Sequence, residues 1–129
     1  MSSDPPGSQR SRVWLCEPDA LFRTLLGEWL LRAGYEPVRC EVGMSVSAPA
    51  MGVGLVVADV AAPRQGGAEC IAALRERFPQ TKVLAISGQF TAGMQGVTAA
   101  AVELGADAVL AKPFAAKAFI ESVEQLLGT

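Results

Sequence analysis

Histidine is missing altogether from this 129-residue chain. Its absence excludes a Ser-His-Asp triad, a Cys-His nucleophile pair and a His-ligated zinc site, and the chain cannot carry a phosphohistidine of its own. Cysteine is scarce: Cys16, Cys40 and Cys70 are the only three, and they lack metal-type spacing. We interpret them as small core residues of a protein in a reducing compartment.

Long apolar runs and basic runs are also missing. No apolar stretch approaches the roughly 20 residues that a membrane-spanning helix needs, so we expect no membrane partner. The net charge is −2, and no basic surface for nucleic acid is expected. Residues 1–11 are rich in serine, proline and glycine and lack the apolar core of a secretory signal. We therefore expect a disordered leader at 1–11 and a cytoplasmic protein.

The rest of the chain reads as one domain, predicted over residues 12–128. Half of all residues are hydrophobic, and the length allows a single core. Short apolar runs alternate with patterns of helical period. The predicted strands are 12–16, 35–40, 55–59, 82–86 and 108–111, and the predicted helices are 20–32, 67–78, 97–104 and 116–127. The segment 41–53, with Gly43, Pro49 and Gly52, predicts only a short or irregular helix.

This alternation predicts an α/β fold. Right-handed crossovers between successive strands give a parallel sheet with helices on both faces. For five strands we expect the flavodoxin-like order 2-1-3-4-5, which is a three-layer (βα)5 sandwich. Pro37 suits an edge position for the second strand because proline cannot donate to a ladder.

The first predicted helix shows how local signals define an element. Asp19 is placed to cap its first turn. Residues at helical spacing are predicted to form its buried stripe. These residues are Leu21, Phe22, Leu25, Leu26, Trp29 and Leu30. A ligand platform built from Phe22 and Trp29 is the alternative to core packing, and we favour core packing.

A single carboxylate interrupts the most apolar part of the sequence. The run Leu55 to Ala58 leads directly into Asp59, and a loop with Pro63 follows. So short an apolar run predicts a strand that is buried on both faces. Ligands of open α/β sheets bind at the carboxyl ends of the strands, where Asp59 falls. The alternative is an aspartate that only ends the strand or caps the next helix.

Polar residues follow three further strands. Glu17 and Asp19 come after the first, Ser87 after the fourth and Lys112 after the fifth. In the predicted strand order these ends adjoin, so the side chains should share one site with Asp59. Crowded carboxylates repel one another, and a divalent cation relieves that repulsion. Mg²⁺ prefers oxygen ligands, lysine provides a point charge for a phosphoryl group, and serine provides a hydrogen-bond donor.

In this order and spacing, the motifs resemble a response-regulator receiver domain of the CheY-like type over about residues 12–127. The matching pieces are Glu17, Val57-Ala58-Asp59 with Pro63, Ile86-Ser87-Gly88, Gly105-Ala106-Asp107 and Lys112-Pro113-Phe114. The resemblance implies that Asp59 is a phosphoacceptor that takes its phosphoryl group from a histidine kinase, a phosphotransfer protein or a small phosphodonor.

The resemblance also implies roles for the neighbours of Asp59. Mg²⁺ would be held by Glu17, Asp59 and the backbone carbonyl of Ala61, with Asp19 as a candidate further ligand. Ser87 and Lys112 would each bind a phosphoryl oxygen. In this family the peptide before the proline of Lys112-Pro113 is typically cis. Output would come from a population shift of the surface formed by helix 97–104 and strand 108–111.

Three features depart from the family pattern. Pro18 stands where a second acid normally touches the metal, so magnesium binding is expected to be weakened, with water or a repositioned Asp19 completing the coordination; a degenerate site is the alternative. Val109 replaces an aromatic residue that often swings inward on activation. The loop 88–96 is longer than usual, and it is either a flexible connection or a mobile element that responds to the site.

We therefore predict a stand-alone receiver that signals through protein contacts with an unknown downstream partner, as a monomer or weak dimer. It would not be an enzyme beyond catalysing its own phosphorylation and dephosphorylation. The alternative is a phosphorylation-independent pseudo-receiver that serves as an interaction module. A flavodoxin-like flavin carrier is disfavoured because the charge of Glu17-Pro18-Asp19 would repel the phosphate of the flavin.

Overall fold

Residues 11–39 and 52–128 are described by the computed structural model of the chain. The strands are β1 (Arg12–Cys16), β2 (Glu36–Arg39), β3 (Val53–Asp59), β4 (Lys82–Ser87), β5 (Gln95–Gly96) and β6 (Ala108–Ala111). The helices are α1 (Ala20–Arg32), α2 (Gly67–Arg77), α3 (Ala99–Leu104) and α4 (Ala116–Leu127). Apart from their ends, the predicted leader 1–11 and segment 41–53 lie outside the described residues, as does Cys40.

The strands form one sheet in the order β2-β1-β3-β4-β6-β5. Every neighbouring pair from β2 to β6 is parallel, which confirms the predicted order 2-1-3-4-5 for the five parallel strands. β2, which contains Pro37, is an edge strand. β1, β3, β4 and β6 therefore bring their carboxyl ends to the same edge of the sheet, which positions the candidate site.

β3 is buried on both faces, as its unbroken apolar run predicts. Val56 and Ala58 pack into one core cluster together with residues of α2 and α3. Leu55 and Val57 pack into a second cluster together with residues of α1 and α4. Two hydrophobic cores, one on each face of the sheet, thus make the three layers of the predicted flavodoxin-like sandwich.

The loop that follows β4 contains a strand that the sequence pattern does not predict. Gln95 and Gly96 pair in antiparallel register with Leu110 and Val109 and add a sixth strand at the edge. The next helix begins two residues later than expected, at Ala99, because Thr98 is extended and its hydroxyl caps the helix. The predicted loop 88–96 is therefore partly ordered by pairing with β6.

Two predictions of burial are wrong. On α1, Leu21 and Leu25 are 84% and 39% exposed rather than part of the buried stripe. The buried or partly buried members are Phe22, Leu26, Trp29 and Leu30. The i, i+4, i+7 and i+8 positions from Phe22 share one face, and Leu21 and Leu25 lie about 100° around the helix from it. Cys70, predicted as a core residue, is exposed on α2.

None of the helices in the described ranges combines the length and the apolar character that crossing a bilayer requires.

Candidate functional site

Asp59 is the last residue of β3 and lies at the carboxyl edge of the sheet. Its side chain is 13% exposed, and its Oδ1 is 3.0 Å from Nζ of Lys112. Directly after it, the backbone N–H of Val60 donates to the carbonyl of Ile86 and continues the pairing of β3 with β4. Asp59 is therefore held by regular sheet structure while its carboxylate faces a positive charge.

Glu17 follows β1 and is almost fully buried, with 3% of its surface exposed. Its Oε1 accepts from Nζ of Lys112 at 2.8 Å, and its Oε2 accepts from the backbone N–H of Asp19 at 3.0 Å. Arg23 on α1 donates to the Glu17 carbonyl at 2.8 Å. A buried carboxylate is costly unless it is paired and hydrogen-bonded, and Glu17 meets both conditions.

Asp19 has a different task from Glu17. It is exposed, and its Oδ1 accepts from the backbone N–H of Phe22 at 3.1 Å, which makes it the N-cap of α1. The predicted cap is thus confirmed, and this oxygen is already committed to the helix. Its role as a further metal ligand stays a prediction. Across residues 11–39 and 52–128, no three acidic or cysteine side chains lie close enough together to hold a metal ion.

Ser87 ends β4 and is fully buried. Its Oγ accepts from the backbone N–H of Gln89 at 3.0 Å, so the hydroxyl keeps its proton for another partner. Its carbonyl accepts from the backbone N–H of Lys112 at 2.9 Å. This bond joins the end of β4 to the segment after β6 and places Lys112 next to the strand that carries Ser87.

Lys112 is the positive centre of the site. Its side chain is 25% exposed, and its Nζ reaches both Glu17 and Asp59. Burial alone would lower the pKa of Lys112, but hydrogen bonds to Glu17 and Asp59 and the negative charge of both carboxylates outweigh it and raise the pKa above its ordinary value. The ammonium group is therefore charged at neutral pH. The peptide bond between Lys112 and Pro113 is cis, as the resemblance implies.

Three of the predicted residues thus meet directly, namely Glu17, Asp59 and Lys112. Ser87 is joined to them through the backbone of Lys112. Ala61 is exposed in the loop after Asp59, and the role of its carbonyl stays a prediction.

The contacts of Arg23 and Phe22 with this site were not predicted. Their position in the sequence could have indicated these contacts, because both residues lie in the first turn of a helix that begins just after Glu17.

The charges of the site do not balance. Glu17 and Asp59 share the ammonium group of Lys112. The nearby charges of Asp19 and Arg23 cancel each other, so the edge keeps one negative charge that a further cation can neutralise. The ligands available are hard oxygens, which are the type that Mg²⁺ selects, and Mg²⁺ commonly takes only one or two carboxylates with water in its other positions. The residues present therefore fit a magnesium ion held by Glu17 and Asp59.

The chain resembles known proteins in sequence as well as in fold. The family model described as response regulator receiver domain matches residues 13–124. The Regulator of RpoS of Escherichia coli is 33% identical over 104 residues, which are 79% of this chain but 30% of that protein. The chain therefore spans less than a third of the length of this curated relative.

Solved structures with the same fold are numerous. A response regulator from Thermotoga maritima aligns with a TM-score of 0.71 at 20% identity and covers 93% of this chain and 99% of that one. A response regulator protein from Burkholderia pseudomallei, solved with a phosphorylated aspartic acid, a calcium ion and citrate, aligns with a TM-score of 0.66 at 20% identity. That alignment covers 92% of this chain and 69% of the other. At these identities the likeness concerns the fold.

Proposed function

Because the chain belongs to the response regulator receiver domain family, we propose that it is a phosphoacceptor of two-component signalling and that Asp59 takes the phosphoryl group. The donor would be a phosphohistidine on a histidine kinase or phosphotransfer protein. We also propose that the domain acts on its own and passes the signal on through contacts with another protein.

One observation carries this proposal. The ammonium group of Lys112 lies 3.0 Å from Asp59 and 2.8 Å from Glu17, at the edge where four strands end. An aspartate that only ends a strand needs no charged partner from a segment more than 50 residues away. Carboxylate, ammonium and the Ser87 hydroxyl together form a set suited to a phosphoryl group, whose oxygens need both charge and hydrogen-bond donors.

In the transfer step, a carboxylate oxygen of Asp59 attacks the phosphorus in line. The oxygen–phosphorus bond forms, the phosphorus–nitrogen bond of the phosphohistidine breaks, and the imidazole leaves with the electron pair of that bond. Lys112 would balance charge on one phosphoryl oxygen, and Ser87 would donate its hydroxyl proton to another. Positioning and charge stabilisation account for most catalysis of such loose transition states.

Magnesium would be held by Glu17, Asp59 and the carbonyl of Ala61. Once bound, the ion supplies positive charge where negative charge spreads over the phosphoryl oxygens. The backbone bond from Asp19 to Glu17 holds one carboxylate oxygen in place, and Arg23 fixes the Glu17 carbonyl. Asp19 has only its Oδ2 to offer as a ligand, because its Oδ1 caps α1. We therefore expect magnesium binding that is weaker than two adjacent acids would give.

The output surface is proposed to lie on α3 and β6. Val109 is fully buried there, and β5 pairs directly with it through Gly96. A valine in that position has no ring to swing inward. A change at Ser87 would instead reach β6 along the backbone, through the bond to Lys112 and the loop that leads to β5.

The test is to incubate the protein with acetyl phosphate and Mg²⁺ and to measure its intact mass and its shift on a Phos-tag gel. We expect the mass of one phosphoryl group on the wild-type chain and none on Asp59→Ala or Asp59→Asn. Asp107→Asn, which leaves Asp59 in place, is the matched control and should still be modified. Equal modification of Asp59→Ala, or no Mg²⁺-dependent modification of the wild type, would contradict the proposal and favour a pseudo-receiver.

A further inference from the structure

The ring of Phe22 lies against the ammonium group of Lys112. Nζ is 4.8 Å from the ring centroid, within the range in which a cation is attracted to the face of an aromatic ring. The same Nζ binds Glu17 and Asp59. Among the residues that the structure describes, these three are thus neighbours of the ammonium group, and one of them is uncharged.

The start of α1 fixes the position of this ring. Asp19 accepts the backbone N–H of Phe22 and caps the helix, and the N–H of Asp19 itself donates to Glu17. Arg23, the next residue along, donates to the Glu17 carbonyl. The turn from Glu17 to Arg23 is therefore closed by its own hydrogen bonds, and the ring is held in register with the carboxylate that binds Lys112.

Other aromatic rings support Phe22 from the interior. Its ring centroid is 5.5 Å from that of Phe114, which stacks on Phe119 at 5.7 Å. Phe119 is fully buried on α4. Ring pairs at such separations attract one another, so the ring is backed by packed hydrocarbon rather than by solvent.

The three neighbours of the ammonium group differ in what phosphorylation would do to them. A phosphoryl group on Asp59 would remove that carboxylate as a partner, and a metal ion held by Glu17 would compete for the second one. The ring of Phe22 is neither phosphorylated nor able to bind the metal, so its quadrupole is the same before and after phosphorylation. Of the three neighbours, Phe22 is thus the one whose attraction for Lys112 does not change as long as the distance between them is kept.

We propose that Phe22 is a positioning residue that holds the flexible Lys112 side chain at Asp59 while the two carboxylates change partners. This deepens the proposed function and rests on it. The ring would keep the ammonium group where a phosphoryl oxygen arrives, at a lower cost in side-chain ordering than a free lysine would incur.

The first arm of the test is NMR on selectively lysine-labelled protein. The chain has three lysines, and Lys82 and Lys117 are exposed and serve as internal references. A ring near Nζ should shift the ε-methylene protons of Lys112 upfield of the other two. Phe22→Leu should remove the shift and Phe22→Tyr should keep it, whereas Leu21→Ala, at an exposed position in the same turn of α1, should leave it unchanged.

The second arm is the rate of Asp59 phosphorylation by acetyl phosphate with Mg²⁺, for variants shown by circular dichroism to be folded. Loss of an exposed or partly exposed cation–ring contact corresponds to about a two- to fivefold lower rate in Phe22→Leu. Phe22→Tyr should restore the wild-type rate, and Leu21→Ala should keep it.

The outcomes separate the two proposals. No upfield shift in the wild type overturns the placement of Lys112 by Phe22. Three outcomes overturn the positioning role even if the wild type shows the upfield shift. They are an unchanged phosphorylation rate in Phe22→Leu, no rescue of the rate by Phe22→Tyr, and an equal loss of rate in Leu21→Ala. A wild-type chain that takes up no phosphoryl group would end the proposed function, and the NMR arm would still decide where Lys112 is held.

Discussion

Each end of the central sheet carries an ion-pair cluster, and the two clusters balance their charges differently. At the carboxyl edge, two carboxylates, Glu17 and Asp59, share the ammonium group of Lys112. At the amino edge each carboxylate has its own guanidinium. Arg12 pairs with Glu36 at 3.3 Å, and in the amino-edge cluster Arg75 on α2 pairs with Asp107, just before β6, at 2.9 Å.

The amino-edge cluster uses nearly every donor that it has. Arg75 donates twice to the carbonyl of Gly105 at 2.8 and 3.1 Å and once to the carbonyl of Thr81 at 3.2 Å. The Asp107 carboxylate also accepts from the backbone N–H of Val83 at 2.8 Å. The rigid fork of the guanidinium thus ties α2 to the starts of β4 and β6.

This difference shows how a cluster that only stabilises the fold can be distinguished from one that can bind a ligand. In the amino-edge cluster the two charges cancel and nearly all the donors are used, so it has little capacity to bind a further ion. At the other edge the surplus carboxylate attracts another cation, and the single lysine has a flexible stem that can follow a changing partner. The same sheet therefore supports stability at one end and, in our proposal, phosphoryl chemistry at the other.

The largest expected effect comes from removing the cation at the carboxyl edge. Lys112→Met leaves Glu17 buried and unpaired, and breaking a buried pair in this way costs about 3 kcal/mol of unfolding free energy, the low end of the range because Lys112 is partly exposed. The measurement is urea denaturation in magnesium-free buffer.

Added Mg²⁺ sharpens that comparison. It should stabilise Lys112→Met more than the wild type, because it replaces the lost positive charge between the carboxylates. Lys117→Met removes an exposed lysine from α4 and should leave stability and magnesium response unchanged. If Lys112→Met were as stable as the wild type without magnesium, the carboxyl edge would not depend on this charge.

At the amino edge the expected loss is somewhat smaller. Arg75→Leu leaves Asp107 without its charged partner, and hydrogen bonds of this kind to a charged group are worth about 2 kcal/mol. Denaturant unfolding would measure the loss, while phosphorylation of Asp59 should proceed at the wild-type rate. Arg77→Leu, an exposed arginine on the same helix, is the matched control. A lower phosphorylation rate in folded Arg75→Leu would show that the two edges are coupled.

The sequence predicted one edge better than the other, for a physical reason. Glu17, Ser87 and Lys112 each follow an apolar run, so strand order alone brings their backbones together. The charged run Arg75-Glu76-Arg77 has the pattern of a solvated helix face, yet Arg75 is half-buried. Its partners are the carbonyls of Gly105 and Thr81 and the carboxylate of Asp107, and no local pattern marks a carbonyl as an acceptor.

Local signals also explain which elements could be predicted. β1, α1, β6 and α4 match their predicted bounds, and the other predicted elements of the described ranges agree within two residues. The two-residue strand β5 could not be predicted, because Gln95 and Gly96 are extended only through their pairing with β6 and not through any propensity of their own. Asp19 was predicted both as a cap and as a candidate ligand, and only the cap is visible in the fold.

A smaller effect separates these two roles of Asp19. Asp19→Ala removes the cap of α1 and should cost about 1 kcal/mol of unfolding free energy. Asp19→Ser keeps a capping oxygen but no carboxylate and should restore the stability. Titration with Mg²⁺, followed by tryptophan fluorescence, should give the same affinity for Asp19→Ser and wild type. A clearly weaker affinity in Asp19→Ser would make Asp19 a metal ligand after all.

The smallest effect is a dependence on pH that only the carboxyl edge should show. The pKa of Lys112 is raised in the folded protein, so the folded state holds this proton more tightly than the unfolded state does. Its contribution is complete below the ordinary pKa of 10.5 and is lost as the pH rises through the higher folded value. The unfolding free energy of the wild type should therefore fall more steeply above this pH than that of Lys112→Met, in magnesium-free buffer. The change is modest because burial opposes the effect of the two carboxylates.

Arg75→Leu is the control and should keep the wild-type dependence of unfolding free energy on pH, since the guanidinium stays charged throughout this range. Parallel curves for wild type and Lys112→Met would mean that the ammonium group gains no net stabilisation from its two carboxylates.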